Sequence, residues 1–169
     1  MKSKTIKHLL FSLEKAPKIL KEFAGSLDDE ALDRKRGSTV WTLREHIYHL
    51  AKVQPVLYKR LETFRDKDPV EIAAYYPAKE ETKEQDNEKV DFASIKDALK
   101  EFKTWRKKQV KMVKGLKQKV FDKKASHSQY TRYDLGILLR HILMHDYWHM
   151  YRMEDIWLCK DEFFQAEPE

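Results

Sequence analysis

The chain has 169 residues, enough for one domain (1–169) with a substantial core, and its composition nowhere shifts sharply enough to divide it. Charged residues make up 37% and hydrophobic ones 41%, with only four Gly and five Pro, which suits long amphipathic helices better than a turn-rich β protein and predicts an all-α fold. The formal charge of +6 is small for 34 basic and 28 acidic residues whose signs interleave, so it gives little support to a nucleic-acid partner, and no run approaches the roughly 20 apolar residues of a membrane span.

One cysteine, Cys159, cannot form an internal disulfide, and the basic start Met1-Lys2-Ser3-Lys4 leads into alternating polar and apolar residues without a cleavage site. Neither feature calls for export, so a cytoplasmic location is the expectation.

The first predicted helix carries Ile6, Leu9, Leu10, Leu13, Ile19, Leu20 and Phe23 at three-and-four spacing, with Pro17 as a kink and Gly25 as the stop. The second starts near Trp41, where Thr42 and Glu45 form a capping-box signature, and continues through Leu43, Ile47, Leu50, Gln54, Leu57 and Leu61 to about Phe64. About 25 residues without periodicity follow, from Asp66 to Asp91, interrupted by Pro69 and Pro77. Tyr75 and Tyr76 are placed against the bundle, and the charged stretch from Lys79 to Lys89 is expected to be mobile. A connection this long fits a crossover between helices that are not antiparallel neighbours. The third helix runs from about Phe92 to Leu116, with Ile95, Leu99, Phe102, Val113 and Leu116 on its apolar side. The fourth opens near Asp134 and carries Leu135, Leu138, Leu139, Ile142, Met153 and Ile156 to about Leu158. The expected architecture is a four-helix bundle with a long crossover connection between helices 2 and 3.

Five of seven histidines fall in two helical stretches. His141, His145 and His149 are each four residues apart, which stacks them along one side of the fourth helix with roughly 6 Å between successive Cβ atoms. On a helical projection His145 and His149 join the buried stripe, while His141 lies toward its edge. Two such imidazoles can converge on one ion, and a third ligand must come from elsewhere. The second helix offers His46 or His49, and periodicity places His46 nearer the buried centre, leaving both open. A histidine pair alone equally describes core residues satisfied by hydrogen bonds.

Trp41-Thr42-Leu43-Arg44-Glu45, leading to His49-Leu50-Ala51, resembles the first signature of the DinB-like (YfiT-like) superfamily. Ile142-Leu143-Met144-His145-Asp146-Tyr147-Trp148-His149 resembles its terminal His-(Asp/Glu)-x-x-His helix. The helix order and the long central connection extend the likeness over most of the chain, although the motifs occupy only about 25 residues. The resemblance implies a four-helix bundle and a divalent metal held by His49, His145 and His149. It departs where many members read His-His-Arg-Gly-Gln, since this chain has Trp148-His149-Met150-Tyr151-Arg152, and where the position of His46 is commonly apolar. Three neutral imidazoles suit zinc, nickel, iron(II), copper or cobalt. Glu45, Asp146, Glu154 and Asp155 are candidates for holding the far ring nitrogens, and each also reads as a cap or surface charge.

Members of the superfamily include transferases using low-molecular-weight thiols such as bacillithiol or mycothiol, maleylpyruvate isomerases, and many proteins without known activity. By resemblance the leading expectation is a thiol S-transferase acting on a small-molecule electrophile. A non-catalytic metal-binding or stress-associated module and a metal-dependent hydrolase are the alternatives. Tyr147, Trp148, Tyr151 and Trp157 give the fourth helix more apolar surface than one buried stripe needs. The first three are the candidate substrate contacts, and a homodimer interface or core packing fits the same residues. Lys100, Lys103, Lys107, Lys111 and Lys114 read as a solvated helix surface, and Cys159, past the apolar stripe, as incidental.

Overall fold

The computed structural model describes residues 3–35, 41–74 and 92–160. Helix α1 (Ser3–Ala24) runs through Pro17 as one helix and ends where Gly25 N donates to Lys21 O at 2.9 Å. A short helix α2 (Asp29–Asp33) follows, capped by Asp28. The predicted second helix is two: α3 (Leu43–Lys52) and α4 (Gln54–Asp66) meet at Val53, with Pro55 in the first turn of α4. Proline has no N–H to give to the preceding turn, which accounts for the break that periodicity did not mark. Helix α5 (Ile95–Lys114) is capped by Ser94 and matches the third predicted helix; α6 (Gln118–Phe121) is one turn; and α7 (Leu135–Leu158) is capped by Asp134, whose carboxylate accepts from Ile137 N at 3.0 Å.

The sequence reading missed a small sheet. Strand β1 (Val70–Ile72), inside the stretch read as aperiodic, pairs parallel with β2 (Lys124–His127), and β2 pairs antiparallel with β3 (Tyr133–Asp134). Strands of two to four residues are too short to display an alternating pattern. Tyr75, Tyr76 and the charged stretch from Lys79 to Lys89 lie outside the described residues. Among the described residues no helix is long and apolar enough to cross a membrane.

Four long rods make the bundle: α1, the α3–α4 pair, α5 and α7. Tyr48 packs on Phe92, Gln54 meets Arg106 and Gln109, and Tyr58 packs on Trp105, so the α3–α4 rod and α5 run side by side in the same direction. The intervening connection is therefore a crossover between parallel neighbours. Glu14 pairs with Lys114 and Phe23 meets Trp157, which sets α1 antiparallel to α5 and parallel to α7. The order of directions is up, down, down, up.

The core has two apolar clusters. One gathers Leu10, Leu13, Leu57, Leu61, Val110, Val113, Leu139 and Ile142; the other gathers Leu20, Leu43, Ile47, Leu50, Phe102, Met153 and Ile156. Between their helical levels lies a buried polar layer. Arg106 Nη2 stands 2.7 Å from Asp146 Oδ2 and donates to Gln54 Oε1 at 3.1 Å. Gln109 Nε2 donates to the same oxygen at 3.0 Å, and Gln54 Nε2 donates to Leu50 O at 2.8 Å. All four side chains are buried, so each must find its partners inside the protein.

Candidate metal centre

One turn from this layer, α3 and α7 face each other with their histidines. Local sequence fixes the placement on both helices. On α3 the capping box forms as read, Thr42 Oγ1 accepting from Glu45 N at 3.1 Å and Glu45 Oε2 accepting from Thr42 N at 2.7 Å. Buried Leu43, Ile47 and Leu50 then set the rotation of the helix, which carries His46 and His49 toward α7. On α7, buried Leu138, Leu139, Ile142, Met153 and Ile156 do the same for His145 and His149.

His145 Nε2 lies 3.2 Å from His49 Nε2 and 3.2 Å from His149 Nε2, and ligand atoms of the three imidazoles all fall within 4.8 Å of one another. Two nitrogens at about 2.0–2.1 Å from a tetrahedral ion stand about 3.3 Å apart, so these separations fit one divalent ion between the rings. Two of the three donors are held in the protonation state a ligand needs. Burial, with the charge of neighbouring His49 and Arg106 second, pushes His145 down to about 3; burial and the three other histidines hold His149 far below its ordinary range. Imidazoles so held are neutral at pH 7, as ligands must be.

His46, open as the third ligand on sequence grounds, is elsewhere. Its Nδ1 is 2.8 Å from His149 Nδ1, on the side of that ring facing away from His145, and burial pushes it down to about 4. Three of the four anticipated carboxylates are engaged elsewhere, Glu45 in the cap, Asp155 with Arg152 at 3.1 Å and Asp146 with Arg106, and Glu154 is exposed on α7. Burial drives the Asp146 carboxyl up to about 6 even with Arg106 beside it.

Aromatic rings close the site. Trp41 stacks on His149 with an interplanar angle of 10° and centroids 5.7 Å apart, and lies 4.8 Å from the His49 ring; Trp148 meets His149 edge-on at 4.7 Å. In the sequence Trp41 marked a helix start and opened the first family signature, but nothing there assigned it to the histidine rings. Of the three candidate substrate contacts, Trp148 borders the histidines, whereas Tyr147 and Tyr151 stand on the outward flank of α7, 39% and 65% exposed. His141 is a turn away, its Nδ1 3.2 Å from Tyr133 Oη. Cys159 caps the far end of α7, ten residues or roughly 15 Å beyond His149.

A model of the DinB superfamily matches residues 12–153. The chain belongs to that superfamily. Its DinB match spans both histidine helices and the crossover between them. Among solved structures the fold is similar to that of YfiT from Bacillus subtilis, described as a probable metal-dependent hydrolase with an unusual four-helix bundle topology. The TM-score is 0.76 at 18% identity, covering 92% of this chain and 87% of that one, a likeness of fold. No curated protein matches this DinB-superfamily chain in sequence.

Proposed function

We propose that this protein is a divalent-metal-dependent enzyme whose ion is held by His49, His145 and His149, and that it transfers a low-molecular-weight thiol to an electrophilic small molecule. The observation that carries the reading is the convergence of three imidazoles from two helices. Three protein ligands with a free fourth position is the pattern of a working site rather than a closed structural one. A bound divalent ion, zinc or nickel foremost, would supply Lewis acidity and lower the pKa of a thiol or water at that position.

The chain's own residues do the rest. His145 and His149 come from successive turns of one helix and His49 from its antiparallel neighbour, so packing of the two helices sets the site before any ion arrives. Trp41 covers the face of His149 and Trp148 meets that ring edge-on, which together give an apolar wall for an electrophile. The sole cysteine stands at the end of α7, so the sulfur must come as a co-substrate. In the transfer a C–S bond forms as a C–halogen bond breaks, the thiol proton leaving with the halide, or as an epoxide C–O bond opens, the proton ending on the epoxide oxygen. Hydrolysis is the second reading, supported by the likeness to YfiT, with water replacing the thiol.

The test starts from protein purified without an affinity tag, in which elemental analysis should find about one equivalent of divalent metal per chain, lost in His145→Ala and His149→Ala. Full stoichiometry in both variants overturns the site. Metal-loaded protein is then assayed with bacillithiol and other small thiols against chlorinated aromatics and epoxides, with ester hydrolysis alongside; Cys159→Ser should keep the activity. Metal-dependent turnover with water but with no thiol selects the hydrolase, and none with either selects a binding module.

A further inference from the structure

Of the two fully buried histidines, His149 is in the ligand set, and the other, His46, belongs neither to that set nor to an apolar cluster. His46 and His149 meet nitrogen to nitrogen through Nδ1 at 2.8 Å, both rings buried, their centroids 5.0 Å apart. A contact this short between two neutral imidazoles contains one proton, carried by one ring and accepted by the other. Which ring carries it follows from the opposite side of His149. If the proton sat on Nε2, it would point at His145 Nε2, 3.2 Å away, and that nitrogen could not serve as a ligand. With the proton on Nδ1, the Nε2 lone pair faces His49 and His145.

We propose that His46 is a positioning residue which accepts a hydrogen bond at its Nδ1 from the Nδ1–H of His149, and so holds His149 in the tautomer and orientation that present Nε2 to the metal. The inference rests on the reading of the triad as metal ligands. The ring of His149 has little freedom to turn otherwise, being stacked under Trp41 and met edge-on by Trp148. His46 is itself held by Trp41, 5.3 Å away, and sits one helical turn before His49, so α3 supplies both a ligand and the support of a ligand on the facing helix. Histidine ligands usually give their outer N–H to a carboxylate, carbonyl or water. Here a neutral imidazole takes that place, while the buried carboxylate next along α7, Asp146, is paired with Arg106.

The test combines an ion-free measurement with a metal affinity. Long-range proton–nitrogen NMR of the metal-free wild-type protein should show His149 as a single Nδ1–H tautomer and His46 as Nε2–H; His149 found as Nε2–H overturns the proposal without any variant having to fold. Zinc affinity, by competition with a chelator, should fall about 10–100-fold in His46→Leu. His46→Asn, whose amide oxygen occupies nearly the position of Nδ1, should restore most of it. A folded His46→Leu with wild-type affinity, or a folded His46→Asn no better than His46→Leu, also overturns it. Because the tautomer is read without an ion, a wild-type protein that binds no zinc defeats the metal reading separately from this one.

Discussion

Asp146 sits next to a candidate ligand in sequence, yet its carboxylate turns away from the triad to Arg106. Both charges are buried, and taking them out of water is costly unless they remain together. Arg106→Leu therefore strands a buried carboxylate and should lower stability by about 3–5 kcal/mol in urea unfolding. The double replacement Arg106→Leu with Asp146→Leu should recover most of the loss, because it removes the uncompensated charge. A double variant as unstable as the single one would show that shape, not charge, is what the layer needs. Periodicity put His145 and His149 on a buried face and the family likeness chose His49, but Arg106 was illegible. Among the lysines of α5 it looks like one more surface cation, and its partner lies on another helix. His46 was legible as buried and not as a support, since a ring contact across 103 positions leaves no local trace.

On the scale of the element, the start of α3 is the sensitive point, because His46 and His49 fall within its first two turns. Thr42→Ala removes the side-chain acceptor for Glu45 N and should cost about 1 kcal/mol. Amide hydrogen exchange should show faster exchange confined to the first turn of α3, and zinc affinity should fall more than global stability does. Uniform acceleration across the bundle would contradict this. The cap was readable because Thr42 and Glu45 state it within four residues; α7 opens at Asp134 as expected, whereas α5 begins at Ile95, three residues after the expected Phe92. The three strands were not readable. Lys124–His127 is polar, and only its neighbours Val70–Ile72 and Tyr133 make it a strand. Pro55 marked the break between α3 and α4, but the apolar face continues across Val53 and hid it.

For the molecule as a whole, the metal-free protein should be acid-labile. His46 and His145 titrate near 4 and 3 in the folded state, and His149 is also lowered, while all three take up protons near 6.5 once unfolded. The unfolded chain thus binds more protons below pH 6.5, so stability present above that value drains away as pH falls toward 4 and 3. Asp146 works the other way between about 6 and 3.8, since the folded carboxyl takes its proton first, but it is one group against three. Urea unfolding in EDTA should give a lower midpoint at pH 5 than at pH 7.5, and excess zinc should raise the midpoint at pH 7.5; an unchanged midpoint between the two pH values would refute the linkage. The pairing of His49 with His145 across 96 positions also has a consequence for synthesis. A ribosome that has delivered α1 through α5 has made only one of the three imidazoles, so capture of an ion by all three must wait until α7 has emerged. The ion cannot template early folding, and a product terminated anywhere before His145 would fold, or fail to fold, with no centre at all.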